Sequence, residues 1–503
     1  MRLWFIALFW LVAGAATAQP MAALEQGRVT GVQDNGIDRF MGLPYAAPPV
    51  GDLRWAPPAP APAWDGTRDG SKAPPKCPQS ASGLAAGTES EDCLYLNLYR
   101  PSQPGSYPVY VYVHGGGAVA GSANDLDGSA LARQGIIVVT INYRLGALGF
   151  LDSTLVSPDR NGGNYALLDV IAALKWVRRN IRDFGGDPDR VTIGGESAGG
   201  TIVCPVMMAR EARGLFRAAI ISSDDCLHDV DTEKAAWRRA VALAKKLGCG
   251  DAACLRQKTP LELVTAGGEA NPTVSASGLV PDFGYNRVAG GDWPAVPMLI
   301  GSNHDEGRAG GKSYLGYDAA HYTDWLHRLM PPDQADKVQA AYAGEHAGDP
   351  HEIAYKISAI LTDSGMRGYG GCSNLRLARN AARTAPVWYY QFEDPSPPYG
   401  DGKLDFQFGA AHGSDVPFLW PGARYARDAA RFTPQERRLS EDMLEAWAGF
   451  IKTGRAGWPS LTPDGGRYMA FRTDGSHVAP LEAVADLHKC ALWEAYPWVL
   501  DRG

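Results

Sequence analysis

Short apolar runs rich in β-branched residues alternate with helical patterns along this chain, and that alternation restricts its fold more than any other feature. The runs PVYVYVHG (108–115), IIVVTINYR (136–144), RVTIGGES (190–197), AAIISS (218–223), VPMLIGSN (296–303) and PVWYYQFE (386–393) read as strands. Between the second and third, NYALLDVIAALKWVRRNIRDFGG sets Leu167, Val170, Ile171, Leu174, Val177 and Ile181 at helical spacing, and glycines end it. Strands apolar on both faces must be covered on both faces. The pattern therefore predicts an α/β fold with a mostly parallel central sheet and helices on either side. No repeat or shift of composition divides the chain, so residues 19–503 are expected to form one domain. Proline is densest between Pro48 and Pro62, where Trp55 and nearby Trp64 favour a loop packed on a surface over a flexible linker.

The first eighteen residues read differently. MRLWFIALFWLVAGAATA carries Arg2, a short apolar run and small residues at Ala16 and Ala18, the pattern of a secretory signal cut between Ala18 and Gln19. The run is shorter than the ~20 residues of a membrane span, so no anchor is expected after cleavage. An even count of cysteines, 8, suits an oxidising destination in the periplasm or outside the cell. Cys249 and Cys254 are close enough for a small local loop, and no cysteine or histidine cluster has zinc spacing. A formal charge of -7 and a pI near 5.8 argue against a nucleic-acid partner.

The strongest chemical signal is Gly195-Glu196-Ser197-Ala198-Gly199, which follows a strand and precedes a helical stretch. A serine on so sharp a turn projects its hydroxyl from the sheet, and the helix behind offers an electropositive end to a developing oxyanion. A second signal is His114-Gly115-Gly116-Gly117, also after a strand. Consecutive glycines let backbone N–H groups approach a substrate oxygen, making Gly116, Gly117 and Ala198 the expected oxyanion donors. His114 is expected to be structural.

Ser197 requires a base and an acid, in the chain order serine, acid, histidine. His321, His327, His346 and His351 sit among polar residues and are most simply solvated. His412, in FGAAHGSDVPF after a strand, lies on a turn of small residues that suits a base. The acid should follow the strand ending at Asn303, where Asp305 and Glu306 are both possible on chemistry alone.

Taken together, these residues resemble the type-B carboxylesterase/lipase family of the α/β-hydrolase superfamily, with cholinesterase-like relatives. The resemblance runs over nearly the whole chain beyond residue 18. It is carried by EDCLYLN (91–97), the HGGG loop, NYRLGALGF (142–150), GNYALLD (163–169), FGGDP (184–188) and GESAGG (195–200), in the family's order. It implies Glu306 of the D-E-G segment as the catalytic acid and His412 of H-G-x-[DE] as the base. It also implies disulfides Cys77–Cys93, Cys249–Cys254 and Cys372–Cys490. For Cys204 and Cys226 it offers no pair, and a bridge or two buried thiols stay equally open. Arg144 with Asp169, and Arg54 with Glu91, resemble buried family ion pairs, and Glu196 a buried carboxylate. The implied activity is cofactor-free hydrolysis of small-molecule esters. Cholinesterases place a tryptophan in the loop closed by the first disulfide; CPQSASGLAAGTESEDC has no aromatic residue, so a choline ester is disfavoured. Small Ala118 after the HGGG loop leaves room beside the oxyanion site. Aryl or alkyl esters are the expected substrates. A non-catalytic adhesion module on the same fold, or a serine amidase or peptidase, are the competing readings. Adhesion relatives lose a triad member, whereas all three candidates are present here.

Overall fold

The computed structural model describes residues 19–79, 88–156, 162–226, 232–268, 271, 279, 293–366, 368–398 and 405–496. The expected signal segment, 1–18, lies outside them. Strands β1 (Met21–Leu24), β2 (Gly27–Thr30) and β5 (Thr67–Asp69) form a small sheet. The large sheet takes β3 (Val32–Asp34), β4 (Ile37–Pro44), β6 (Tyr95–Pro101), β7 (Tyr107–Val113) and β8 (Ile137–Ile141). It continues with β9 (Gly186–Glu196), β10 (Ala218–Ser222), β11 (Met298–Asn303), β12 (Val387–Phe392), β13 (Arg467–Phe471) and β14 (His477–Pro480). The order across it is β14-β13-β12-β11-β10-β9-β7-β8-β6-β4-β3. Pairings from β13 through to β8 are parallel, and antiparallel strands close both edges.

The continuous apolar runs are explained by burial on both faces. Along β7, Val109, Val111 and Val113 enter one core while Tyr110 and Tyr112 enter the other. Ala219 and Ile221 of β10, and Met298 and Ile300 of β11, join the first; Ile220 and Leu299 join the second. The helix Tyr165–Asn180 packs the first face through Leu167, Val170, Ile171, Leu174 and Val177, and Lys175, Arg178 and Arg179 stay exposed. A 3-10 turn extends it to Phe184, and Gly185, at φ 75°, stops it. The helix Pro434–Thr453 covers the opposite face with Leu439, Met443, Trp447, Phe450 and Ile451. This is the α/β-hydrolase arrangement.

The proline-dense stretch is packed. Trp55 is wholly buried and donates its indole N–H to the Ala147 carbonyl at 2.9 Å, and Trp64 donates to that of Arg28 at 2.8 Å. Four disulfides are present: Cys77–Cys93, Cys204–Cys226, Cys249–Cys254 and Cys372–Cys490. The second joins the helix behind Ser197 to the loop after β10, which closes the question that spacing and resemblance had left open. Among the described residues, no helix is long and apolar enough to cross a membrane.

Buried polar side chains hold the loops at the strand ends. Asn142 accepts the Ala123 N–H at 2.8 Å and donates to the Cys93 and Pro75 carbonyls. Arg54 lies on Glu91, with Nε to Oε1 at 2.7 Å. Arg144 makes a fork on Asp169, at 2.8 and 2.7 Å, and reaches the Ala56 carbonyl at 2.9 Å. Both partners are buried, so removing one strands the other's charge. Asp169→Ala should cost about 3–5 kcal/mol of unfolding free energy in urea titrations of the oxidised protein. A cost below about 1 kcal/mol would show that the pair is dispensable.

Candidate active site

Ser197 stands between β9 and the helix Ala198–Met208, with φ 54° and ψ −130°. Non-glycine residues occupy such backbone only when their surroundings force it, at a cost of about 1–3 kcal/mol. The forcing is visible. A Cβ on Gly195 would lie 2.4 Å from the Gly199 carbonyl carbon, and one on Gly199 would lie 2.1 Å from the Val113 oxygen. The glycines thus let strand and helix meet closely enough to bend the chain between them. The Ser197 N–H is held by the Ser222 carbonyl at the end of β10, at 3.0 Å.

Glu306 follows β11, and its Oε1 accepts the Asn303 N–H at 2.8 Å. Its Oε2 lies 2.6 Å from His412 Nδ1, and His412 Nε2 lies 2.7 Å from Ser197 Oγ. The carboxylate can only accept, so Nδ1 carries a proton and donates it. In the neutral ring Nε2 then accepts from the Ser197 hydroxyl. The structure thus brings together the serine, histidine and glutamate singled out in the sequence.

Asp305, the other acid open on chemistry alone, faces elsewhere. It is paired with Arg308 at 2.5 Å and His304 at 3.1 Å, and accepts the Ala410 N–H at 3.0 Å. Burial pushes its carboxyl up, but the His304 hydrogen bond and charge, with Arg308, overcome this and hold it at about 2. Asp305 therefore fastens the histidine loop. Asn303 does the same, donating to the Ala411 carbonyl at 2.9 Å and to Asp415 at 3.0 Å. Sequence reasoning gave neither residue this task. Asp415 was visible as the final position of H-G-x-[DE], and Asn303 only as the residue ending a strand.

Three acids surround His412. Burial alone would lower its pKa; the adjacent Glu306 charge and hydrogen bond outweigh that, Glu196 and Asp415 add to them, and the net direction is upward. Glu196 lies with Oε1 3.6 Å from Nε2. Its carboxyl is raised mainly by burial, opposed by His412.

On the other side runs the glycine loop. Gly116 has φ 109°, and a Cβ there would meet the Ala120 oxygen at 2.3 Å. His114 is buried, stacked on Tyr143 at 4.4 Å, with Nδ1 2.8 Å from the Gly115 oxygen; burial drops its pKa to about 4. It is a packing residue, neutral at physiological pH. A cavity of about 450 Å³ opens over Ser197, bordered by Gly116, Gly117, His412, Tyr112 and Tyr425, with Asp125 and Arg424 among its polar lining. Of the other histidines, His321 and His346 are exposed, as expected, and His346 also lays its ring on Tyr355 at 3.8 Å.

A hydroxyl, imidazole and carboxylate thus lie in line at the ends of the parallel sheet of an α/β-hydrolase fold, beside a glycine loop. The model of the carboxylesterase family matches residues 18–493, and the chain belongs to that family. It is 33% identical to fumonisin B1 esterase of Sphingopyxis macrogoltabida, with 95% of this chain and 94% of that protein covered. It is likewise 33% identical to cocaine esterase of Homo sapiens, with 88% and 85% covered. Among solved structures it is similar to a thermophilic PNB esterase, with TM-score 0.77, 28% identity, and 94% of this chain and 100% of that one covered. The protein is a carboxylic-ester hydrolase.

The charge arrangement sets the direction of a titration. A neighbouring carboxylate favours the protonated ring, so His412 should titrate above 6.5 when followed by NMR of the imidazole. Glu306→Gln removes the nearest charge and should lower the value. An unchanged or higher value in that variant would contradict the account.

Proposed function

We propose that the mature chain, residues 19–503, is an exported single-domain serine esterase that cleaves aryl or alkyl esters through an acyl-enzyme on Ser197. The observation that carries this reading is the Glu306–His412–Ser197 hydrogen-bonded line, 2.6 and 2.7 Å, opening on a cavity. Ester hydrolysis itself follows from family membership. Export is supported by the four disulfides, which persist in oxidising compartments, and by the signal-like first eighteen residues.

His412 Nε2 takes the Ser197 proton as Oγ attacks the carbonyl carbon, and Glu306 orients the ring and stabilises the imidazolium. The negative oxygen formed is received by the N–H groups of Gly116, Gly117 and Ala198, the last at the start of a helix. When the bond to the leaving oxygen breaks, the imidazolium hands its proton to the departing alcohol. Water then attacks the acyl carbon with His412 again as base, releasing the acid and restoring Ser197. Bound cations of the choline type have no aromatic partner in the 77–93 loop sequence, which favours uncharged alcohols.

A graded panel of p-nitrophenyl esters alongside peptide p-nitroanilides tests this reading. The wild type should turn over the esters and leave the anilides. Ser197→Ala should lower kcat on esters by at least about 10⁴-fold with an unchanged melting temperature. Preference for the anilides would favour an amidase, and no turnover of either would favour a binding module.

A further inference from the structure

We infer that Tyr369 is a positioning residue for His412, bracing the imidazole through its face while the two ring nitrogens are engaged at its edge. The inference rests on the catalytic assignment of His412 made above. The two ring centroids are 4.1 Å apart and the planes 22° from parallel. The contacts to Glu306 and Ser197 lie at opposite edges of the imidazole. They fix two points but leave rotation about the line joining them. A stacked ring opposes that rotation.

The bracing matters most after acylation. Oγ then carries the acyl group and has no proton to offer Nε2, so the edge keeps the Glu306 hydrogen bond at Nδ1 and, at Nε2, only the looser approach of Glu196 at 3.6 Å. The stack with Tyr369 is unaffected by that step. It also lies over the ring when it becomes imidazolium, and an aromatic face attracts a cation. The charged groups facing His412 are Glu306 from the end of β11, Glu196 from the end of β9 and Asp415 from its own loop. Tyr369 adds a contribution of a different kind, from the connection between the helices Glu352–Ser364 and Gly371–Ala381.

That connection is held on both sides of the tyrosine. The Gly368 carbonyl accepts the Asp225 N–H at 2.8 Å, and the Gly370 N–H donates to Asn374 at 2.9 Å. Gly370 has φ 137°, and a Cβ there would lie 2.0 Å from the Thr362 oxygen. Asn374 in turn donates to the carbonyl of Asp224, at 2.9 Å. The tyrosine is thus anchored to the loop that follows β10, whose Ser222 holds the backbone of Ser197.

The test compares Tyr369→Leu, Tyr369→Phe and Ser197→Ala in the full chain on a p-nitrophenyl ester. The leucine variant should lose roughly 3- to 30-fold in kcat, with KM within about twofold. Because His412 must be deprotonated to act as base, losing a contact that favours imidazolium should move the acid limb of kcat/KM about half a pH unit lower. Phenylalanine keeps the stacked face and should restore most of both. Should the leucine variant fail to fold, Tyr369→Met is measured in its place, with the same expectations. Wild-type kcat and limb in the leucine or methionine variant would overturn the inference. So would equal losses in the phenylalanine variant, or a loss confined to KM. Activity surviving Ser197→Ala would instead defeat the catalytic assignment itself.

Discussion

The left-handed backbone at Ser197 is the constraint on which the rest of the site depends. It exists because the helix Ala198–Met208 packs against β9 at Gly195 and against the end of β7 at Gly199, with no space for a Cβ at either. Relaxing it would release about 1–3 kcal/mol locally. It is retained because β7 and β10 lie on either side of β9, and Ser222 grips the serine N–H. The sheet core thus determines where one hydroxyl points. Helix packing on both faces has a direct functional consequence, since a looser sheet would let the turn relax.

The second half of the site is assembled by the same sheet from further along the chain. Glu306 and His412 are 106 residues apart, yet their loops are stitched together by Asn303, Asp305 and backbone bonds at Ala410, Ala411 and His412. Asp305 is locked as a carboxylate between Arg308 and His304, so it remains an acceptor over the physiological range. The price of this arrangement is a dense group of buried acids. Burial pushes Glu196 and Asp415 upward, which limits how much negative charge the site holds at once.

Much of this was legible in the sequence, for identifiable reasons. The six apolar runs form consecutive neighbours in the sheet, because strands buried on both faces leave an unmistakable pattern. The edge strands β3 and β14 were not apparent, since their exposed positions break any apolar run, and β4 beside the edge is largely buried but interrupted by Asp38 and Arg39. Ser197 was visible because its turn needs glycines at fixed offsets. The choice between Asp305 and Glu306 was not, because adjacent acids differ only in which way the turn directs them. Resemblance supplied that choice, and the distances to His412 agree with it. Tyr369 was invisible in sequence: a stacking partner can come from any loop that reaches the ring, and no local spacing marks it. Cys204–Cys226 likewise depended on knowing that the loop after β10 returns beside the helix.

On the proposed mechanism, the hydroxyl of Ser197 carries the acyl group during turnover. Acid quench of the protein during turnover of a slowly deacylating p-nitrophenyl ester, followed by reduction of the disulfides, tryptic digestion and mass spectrometry, tests it directly. One acyl group per chain is expected, on the peptide Val191–Arg210 and at the serine within it. An acyl group on another residue, or rapid ester turnover with that peptide never modified, would contradict it.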